Sequence, residues 1–168
     1  MAQSHAATTG SPIIQLPYTR ECFVCGEDNT RGMHVRFEAH ADEIVARIKP
    51  PAEACGYRTI VHGGIQSTLL DETMGWAPAF VKKRMCVAAE LTVRFLARVP
   101  VGTTLTVRGR FVEDKRLFWK CEGSLEDDEG TIYATSRGTY VPLSREESEE
   151  IERETLIYPE GTSRIFST

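Results

Sequence analysis

Residues 61–75 read VHGGIQSTLLDETMG, and this stretch decides the fold. Across residues 63–80 the side chains Ile65, Leu69, Thr73, Trp76 and Phe80 recur at helical intervals, and Lys82-Lys83 follow where the negative end of a helix dipole falls. On either side the period drops to two. Upstream, Val35, Phe37 and Ala39 alternate with His34, Arg36, Glu38 and His40. Asp42-Glu43 then turns the chain into Ile44, Ala46 and Ile48, a second strand that stops at Pro50-Pro51 because proline donates nothing to a ladder. Downstream, Leu91, Val93, Phe95, Ala97 and Val99 oppose Thr92, Arg94 and Arg98, and Leu105, Val107 and Phe111 alternate likewise. Leu117, Trp119, Cys121 and Leu125 come next, and Asp127-Asp128-Glu129-Gly130 is a hairpin turn into residues 132–141. The order is ββαββββ: an α+β chain whose one mid-chain helix must bury a face against a curved antiparallel sheet of about six strands.

The ends frame this core. Residues 1–20 are expected to be a flexible leader, residues 21–143 the domain, and residues 144–168 a helix and tail, since Ser144 and Glu147 stand at capping-box spacing before an acidic run. The leader has no apolar h-region and no basic residue before Arg20, which argues against a signal or transit peptide.

Composition excludes several classes. The 168 residues fit one domain, and no apolar run approaches the roughly 18 residues a membrane span needs. Twenty Lys and Arg against 24 Asp and Glu give a net charge of −4, which offers no footprint for a nucleic-acid backbone. Five cysteines are an odd set in a chain able to build its own core, so reduced thiols and a cytoplasmic location are expected. Serine-hydrolase, phosphate-loop and zincin motifs are absent. Cys22 and Cys25 invite a zinc reading with His34 and His40, but six residues of strand span about 20 Å, so both histidines cannot reach one ion. A site with only three of these ligands stays open; a buried knuckle is the simpler reading, and no metal is expected.

Chemistry concentrates on the helix. Stepping about 100° per residue from Asp71 places Gly64, Ser67, Thr68, Gly75 and Pro78 within about 60° of it, a stripe of small residues around one carboxylate. Small side chains admit close approach by another backbone or a substrate. The entry, His62-Gly63-Gly64, presents unpaired N–H groups at the positive end of the dipole, able to stabilise an oxygen that gains negative charge. Two turns, about 12 Å, separate those donors from Asp71 on one helix, too far to act on one carbonyl carbon. An isologous dimer with antiparallel helices brings the entry of one chain to Asp71 of the other.

The stretch around His62 and Asp71 resembles the helix motif of hot-dog-fold acyl-CoA thioesterases of the PaaI-like branch. CFVCGEDNTRGMHVRF, from Cys22, resembles the Cys-x-x-Cys-Gly and Asn-x-x-Gly entry of some members, and AELTVRFLARVPVGTTLTVRGR, from Ala89, resembles the strand pair after the helix. The resemblance implies a helix wrapped by a curved sheet, dimers often paired into tetramers, and hydrolysis of acyl-CoA thioesters with no cofactor beyond the CoA of the substrate. It makes Asp71 the carboxylate that attacks the thioester or activates water, Gly63 the N–H donor to the carbonyl oxygen, and His62 the residue that shapes the loop. Gly64, Glu72 and Ala88 would border the substrate, Glu72 being the competing carboxylate. Two departures stand out. Val87-Ala88-Ala89 occupies the place where relatives often carry a Ser or Thr that holds water, and no Asn lies shortly before His62. The first keeps open a non-catalytic acyl-CoA sensor or scaffold. An enoyl-CoA hydratase is a third reading, from Asp28 and His34.

Overall fold

The computed structural model describes residues 12–162 and 164–166. In chain order the elements begin with β1 (Ile13–Gln15), β2 (Tyr18–Thr19), β3 (Phe37–His40) and β4 (Glu43–Ile48). After Pro50-Pro51 come a 3-10 turn (Ala52–Ala54), the short ladder β5 (Cys55–Tyr57) and β6 (Ile60–Val61), and the long helix α1 (Gly63–Lys82). Then follow β7 (Cys86–Phe95), β8 (Leu105–Asp114), β9 (Trp119–Asp127), β10 (Ile132–Pro142), α2 (Arg145–Thr155) and β11 (Leu156–Ile157). The main sheet is antiparallel throughout and runs β1-β3-β4-β8-β9-β10-β7, so the strand that directly follows the helix lies at an edge.

One face of the sheet carries the helix. Alternate residues of β3, β4, β8 and β9, among them Phe37, Ile44, Leu105, Val107 and Leu125, meet Leu69, Leu70, Thr73, Met74 and Ala77 of α1 in a single core. Burying a side chain of this kind is worth about 1.5–3 kcal/mol. The helix backbone lies very close to the sheet. A Cβ on Gly109 would stand 2.6 Å from the Thr73 carbonyl oxygen, and one on Gly123 would stand 3.0 Å from Met74 Cγ. These two glycines face each other across β8 and β9 and form a saddle for the middle of the helix.

The expected order ββαββββ is present, with differences at its margins. The sheet has seven strands because Ile13–Gln15, placed in the leader by sequence, pairs with β3 from Ile13↔His40 to Gln15↔Glu38. Residues 1–11 of that leader lie outside the described residues. Tyr18–Thr19 pairs with Leu156–Ile157, so the two ends of the described chain share a small ladder. The first strand after the helix starts at Cys86 and ends at Phe95, leaving Ala97 and Val99 beyond it. Its alternation is weak because an edge strand has one neighbour; Val87 and Phe95 are about half exposed, at 51% and 50%. The capping box at Ser144 and Glu147 is present, but α2 is not wholly exposed, since it buries Ser148 and Glu152.

Candidate functional site

The helix begins where a loop residue caps it. His62, in extended conformation, accepts the Gly64 N–H on Nδ1 at 2.8 Å, so the imidazole's other nitrogen carries the proton when the ring is neutral. The cap takes the Gly64 donor and leaves that of Gly63, the first helical residue, with no hydrogen bond to another described residue. The Phe95 ring, at the end of β7, lies beside Gly63: a Cβ there would meet it at 3.2 Å. An N–H at a helix start beside a half-exposed aromatic ring can receive an oxygen that gains negative charge while water is kept off one side.

Asp71 sits mid-helix and half-buried, on the face where Gly64, Ser67, Thr68 and Gly75 also keep some exposure. The expected small-residue stripe is therefore on the open face, except for Pro78, which is buried. Ser67 and Thr68 donate their hydroxyls to the carbonyls of Gly63 and Gly64, both at 2.9 Å. The Asp71 carboxylate is oriented from the sheet. Tyr140 of β10 donates its hydroxyl to Asp71 Oδ1 and to the Asp71 carbonyl, each at 2.9 Å. Its ring passes close to two glycines, since a Cβ on Gly138 would come within 2.5 Å of it and one on Gly75 within 3.5 Å. Burial and then the Asp71 charge push the Tyr140 phenol well above its usual range, so it is a fixed donor. Between β10 and β7 the register slips at Thr139/Tyr140, leaving Ala89 as the extra residue and Ala88 opposite Tyr140.

Glu72 has other company. Its Oε1 lies 3.6 Å from Cys22 Sγ and 3.5 Å from Cys25 Sγ, on the loop between β2 and β3. Burial raises its carboxyl to about 7, with the Cys22 charge adding to the rise. Cys22, hydrogen-bonded by Cys25, is drawn down to about 5, while Cys25 is pushed up by that same bond and by burial.

The structure thus gathers His62, Gly63 and Gly64 at the helix start, sets Ala88 opposite the tyrosine that holds Asp71, and turns Glu72 to the cysteines. Within one chain Gly63 and Asp71 remain two turns apart, about 12 Å. Asp28 and His34 belong to the loop before β3 and lie off the helix altogether. Tyr140 and Phe95 were not singled out by sequence. The available signal for the former was Gly138, two residues earlier on the same strand face, which makes room for a large ring.

Comparison with known proteins bears on the fold and the family. The sequence profile of the thioesterase superfamily matches residues 59–134. Acyl-coenzyme A thioesterase THEM5 of Mus musculus is 27% identical over 116 residues, 68% of this chain and 46% of that protein; the chain spans about half the length of the curated relatives it matches. Among solved structures, a thioesterase superfamily protein superposes with a TM-score of 0.69 at 24% identity, covering 73% of this chain and 60% of that one. The E. coli PaaI protein from the phenylacetic acid degradation operon superposes with a TM-score of 0.61 at 18% identity, over 67% of this chain and 81% of that one.

Proposed function

We propose that the chain is a member of the thioesterase superfamily, whose profile matches residues 59–134 and whose hot-dog fold it shares, and that it hydrolyses an acyl-CoA thioester to the free acid and CoA in a homo-oligomer whose active site lies between two subunits. One observation carries the reading: a carboxylate, Asp71, aimed by a buried tyrosine onto the open face of a helix whose own start leaves the Gly63 N–H unclaimed.

Asp71 attacks the thioester carbonyl or takes a proton from the water that does. The carbonyl oxygen, now negative, receives the Gly63 N–H of the partner subunit, and collapse of the tetrahedral intermediate expels the thiolate of CoA; where Asp71 itself attacked, water then cleaves the acyl-Asp71 anhydride to the free acid and restores the carboxylate. His62 keeps the helix entry in shape through its cap on Gly64, and Gly64 and Ala88 border the acyl group. Glu72 is left out of the substrate site, being occupied with the cysteines. A dimer is supported by the exposed apolar edge at Val87 and Phe95 and by the open helix face beside it. Five free thiols suit the reducing cytoplasm. Among the described residues no helix is long and apolar enough to cross a membrane.

A second reading, an acyl-CoA sensor or scaffold without turnover, is favoured by Val87-Ala88-Ala89. These exposed residues offer no hydroxyl, and those of Ser67 and Thr68 are committed to backbone carbonyls. Thiol release from short, medium, long and aromatic acyl-CoA esters decides between the two. The proposal expects turnover on one class and a loss of about 10²–10⁴-fold in kcat for Asp71→Asn, the range for a lost general base. Tight ester binding with no turnover selects the sensor.

A further inference from the structure

The side-chain cluster Cys22, Cys25 and Glu72 joins the loop before β3 to the catalytic helix and takes no part in the chemistry above. Their donor atoms all lie within 4.8 Å of one another. The distances from Glu72 Oε1 to the two sulfurs, 3.6 and 3.5 Å, match the edge of a tetrahedron around zinc, which is about 3.5–3.7 Å for Zn–S near 2.3 Å and Zn–O of 2.0–2.2 Å. The loop is already shaped for two thiolates. Val24 N–H points at Cys22 Sγ at 3.2 Å and Thr19 N–H at Cys25 Sγ at 3.4 Å, donors that favour charged sulfur.

Rigidity comes from the residues around them. Gly26 turns the chain so tightly that a Cβ would sit 2.5 Å from the Arg20 carbonyl oxygen and from Cys22 N, and its N–H returns to the Cys22 carbonyl at 2.9 Å. Arg36 Nη1 donates to the Cys25 carbonyl at 2.6 Å. Cys25 is fully buried, while Cys22 keeps partial exposure, which leaves a solvent molecule access to a fourth position. Among the described residues, no Lys, Arg or His forms an ion pair with the Glu72 carboxylate.

We infer that Cys22, Cys25 and Glu72 bind a zinc ion, which clamps the N-terminal loop to the helix that carries Asp71. On binding, the protons that the two sulfurs and the carboxylate still hold pass to solvent, and the carboxylate and two thiolates take three positions on the metal, with water in the fourth. No redox change is involved. The histidines excluded by strand length are not needed, because the third donor comes from the helix.

The full chain, produced in zinc-supplemented medium and desalted under reductant, is expected to retain about one zinc per chain by elemental analysis. Replacement by cobalt should give near-ultraviolet sulfur-to-cobalt charge transfer. Cys22→Ser and Cys25→Ser should lose both signals, and Glu72→Gln should lower zinc affinity at least about tenfold in competition with a chelator, comparable with other site perturbations. Should the serine variants fail to fold, the cobalt spectrum of the wild type and the fall of its melting temperature on chelation carry the test. Reduced wild type that takes up neither metal overturns the site, as does a Cys22–Cys25 disulfide found by intact mass in protein purified without oxidant. Metal content is read without any thioester, so a chain that takes up no metal yet hydrolyses thioesters would overturn this inference and leave the catalytic reading standing, while a chain that binds zinc and turns over no ester would do the reverse.

Discussion

Tyr140 reaches from the sheet to the middle of the helix and donates one hydroxyl to both Asp71 Oδ1 and the Asp71 carbonyl, at 2.9 Å each. The carboxylate's direction is therefore set by a residue 69 positions away. Tyr140→Phe removes the bond and keeps the ring between its glycines. A hydrogen bond to a charged group is worth about 1.5–3 kcal/mol, so kcat should fall about 10- to 100-fold. Because the hydroxyl positions Asp71 and is not assigned to bind the ester, KM should change little. Equal losses in both constants, or none in either, would remove Tyr140 from the site.

How legible was this in the sequence? The helix, its glycine entry and Asp71 were, because a 3.6-residue period and a local motif sit in one unbroken stretch. The four strands after the helix and the Ser144 capping box were readable for the same reason. Strand β1 was not: Ile13-Ile14-Gln15 is too short to show a period, and its partner β3 lies 25 residues on. Edge position also escaped, since alternation in β7 does not reveal that only β10 lies beside it. Tyr140 and the Glu72–cysteine cluster are contacts between distant segments, which no spacing rule reports. In each case what was missed is pairing across the fold, and what was read is local.

Gly109 explains how the helix comes to lie so near the sheet. A methyl group there would sit 2.6 Å from the Thr73 carbonyl oxygen and 2.9 Å from Met74 N, both backbone atoms that cannot swing aside. Gly109→Ala should therefore destabilise the chain by about 1–3 kcal/mol, as overpacking does. At about 2–4 °C per kcal/mol for a protein of this size, a thermal melt reads the loss directly. A melting temperature equal to that of the wild type would mean that the saddle is not needed.

Asp127 gives the hairpin between β9 and β10 a pH dependence. Its carboxylate accepts the Thr131 N–H at 2.8 Å, the Glu129 N–H at 3.0 Å and the Tyr133 hydroxyl at 2.8 Å. These bonds, led by the Thr131 amide, hold its carboxyl below the usual range. The folded value is thus lower than the unfolded one, so the stabilisation is present above the ordinary carboxylate range and is lost as pH falls through the lowered value. Asp127→Asn should melt below the wild type at neutral pH, and the gap should close in acid. A gap that stays constant down to about pH 2 would assign the effect to packing.

The separation of Gly63 from Asp71 yields the sharpest test of the shared site. Gly63 is the first residue of the helix, where proline is well tolerated and its missing N–H costs the helix nothing. His62 already has φ −60° and ψ 136°, the conformation a following proline demands. The Cβ of the new ring meets Phe95 at 3.2 Å, and that side chain is half exposed and free to yield. Gly63→Pro thus deletes the proposed oxyanion donor with little change elsewhere and should cost about 10²–10³-fold in kcat. Asp71→Asn deletes the carboxylate. If the donor and the carboxylate of each site come from different subunits, a dimer with one chain of each kind holds one site lacking both groups and one site with both intact. Such a mixed dimer, purified through two different tags, should recover about half of the wild-type activity although neither parent is active. Were both groups of each site supplied by the same chain, every site in the mixed dimer would lack one of them, and no activity would return.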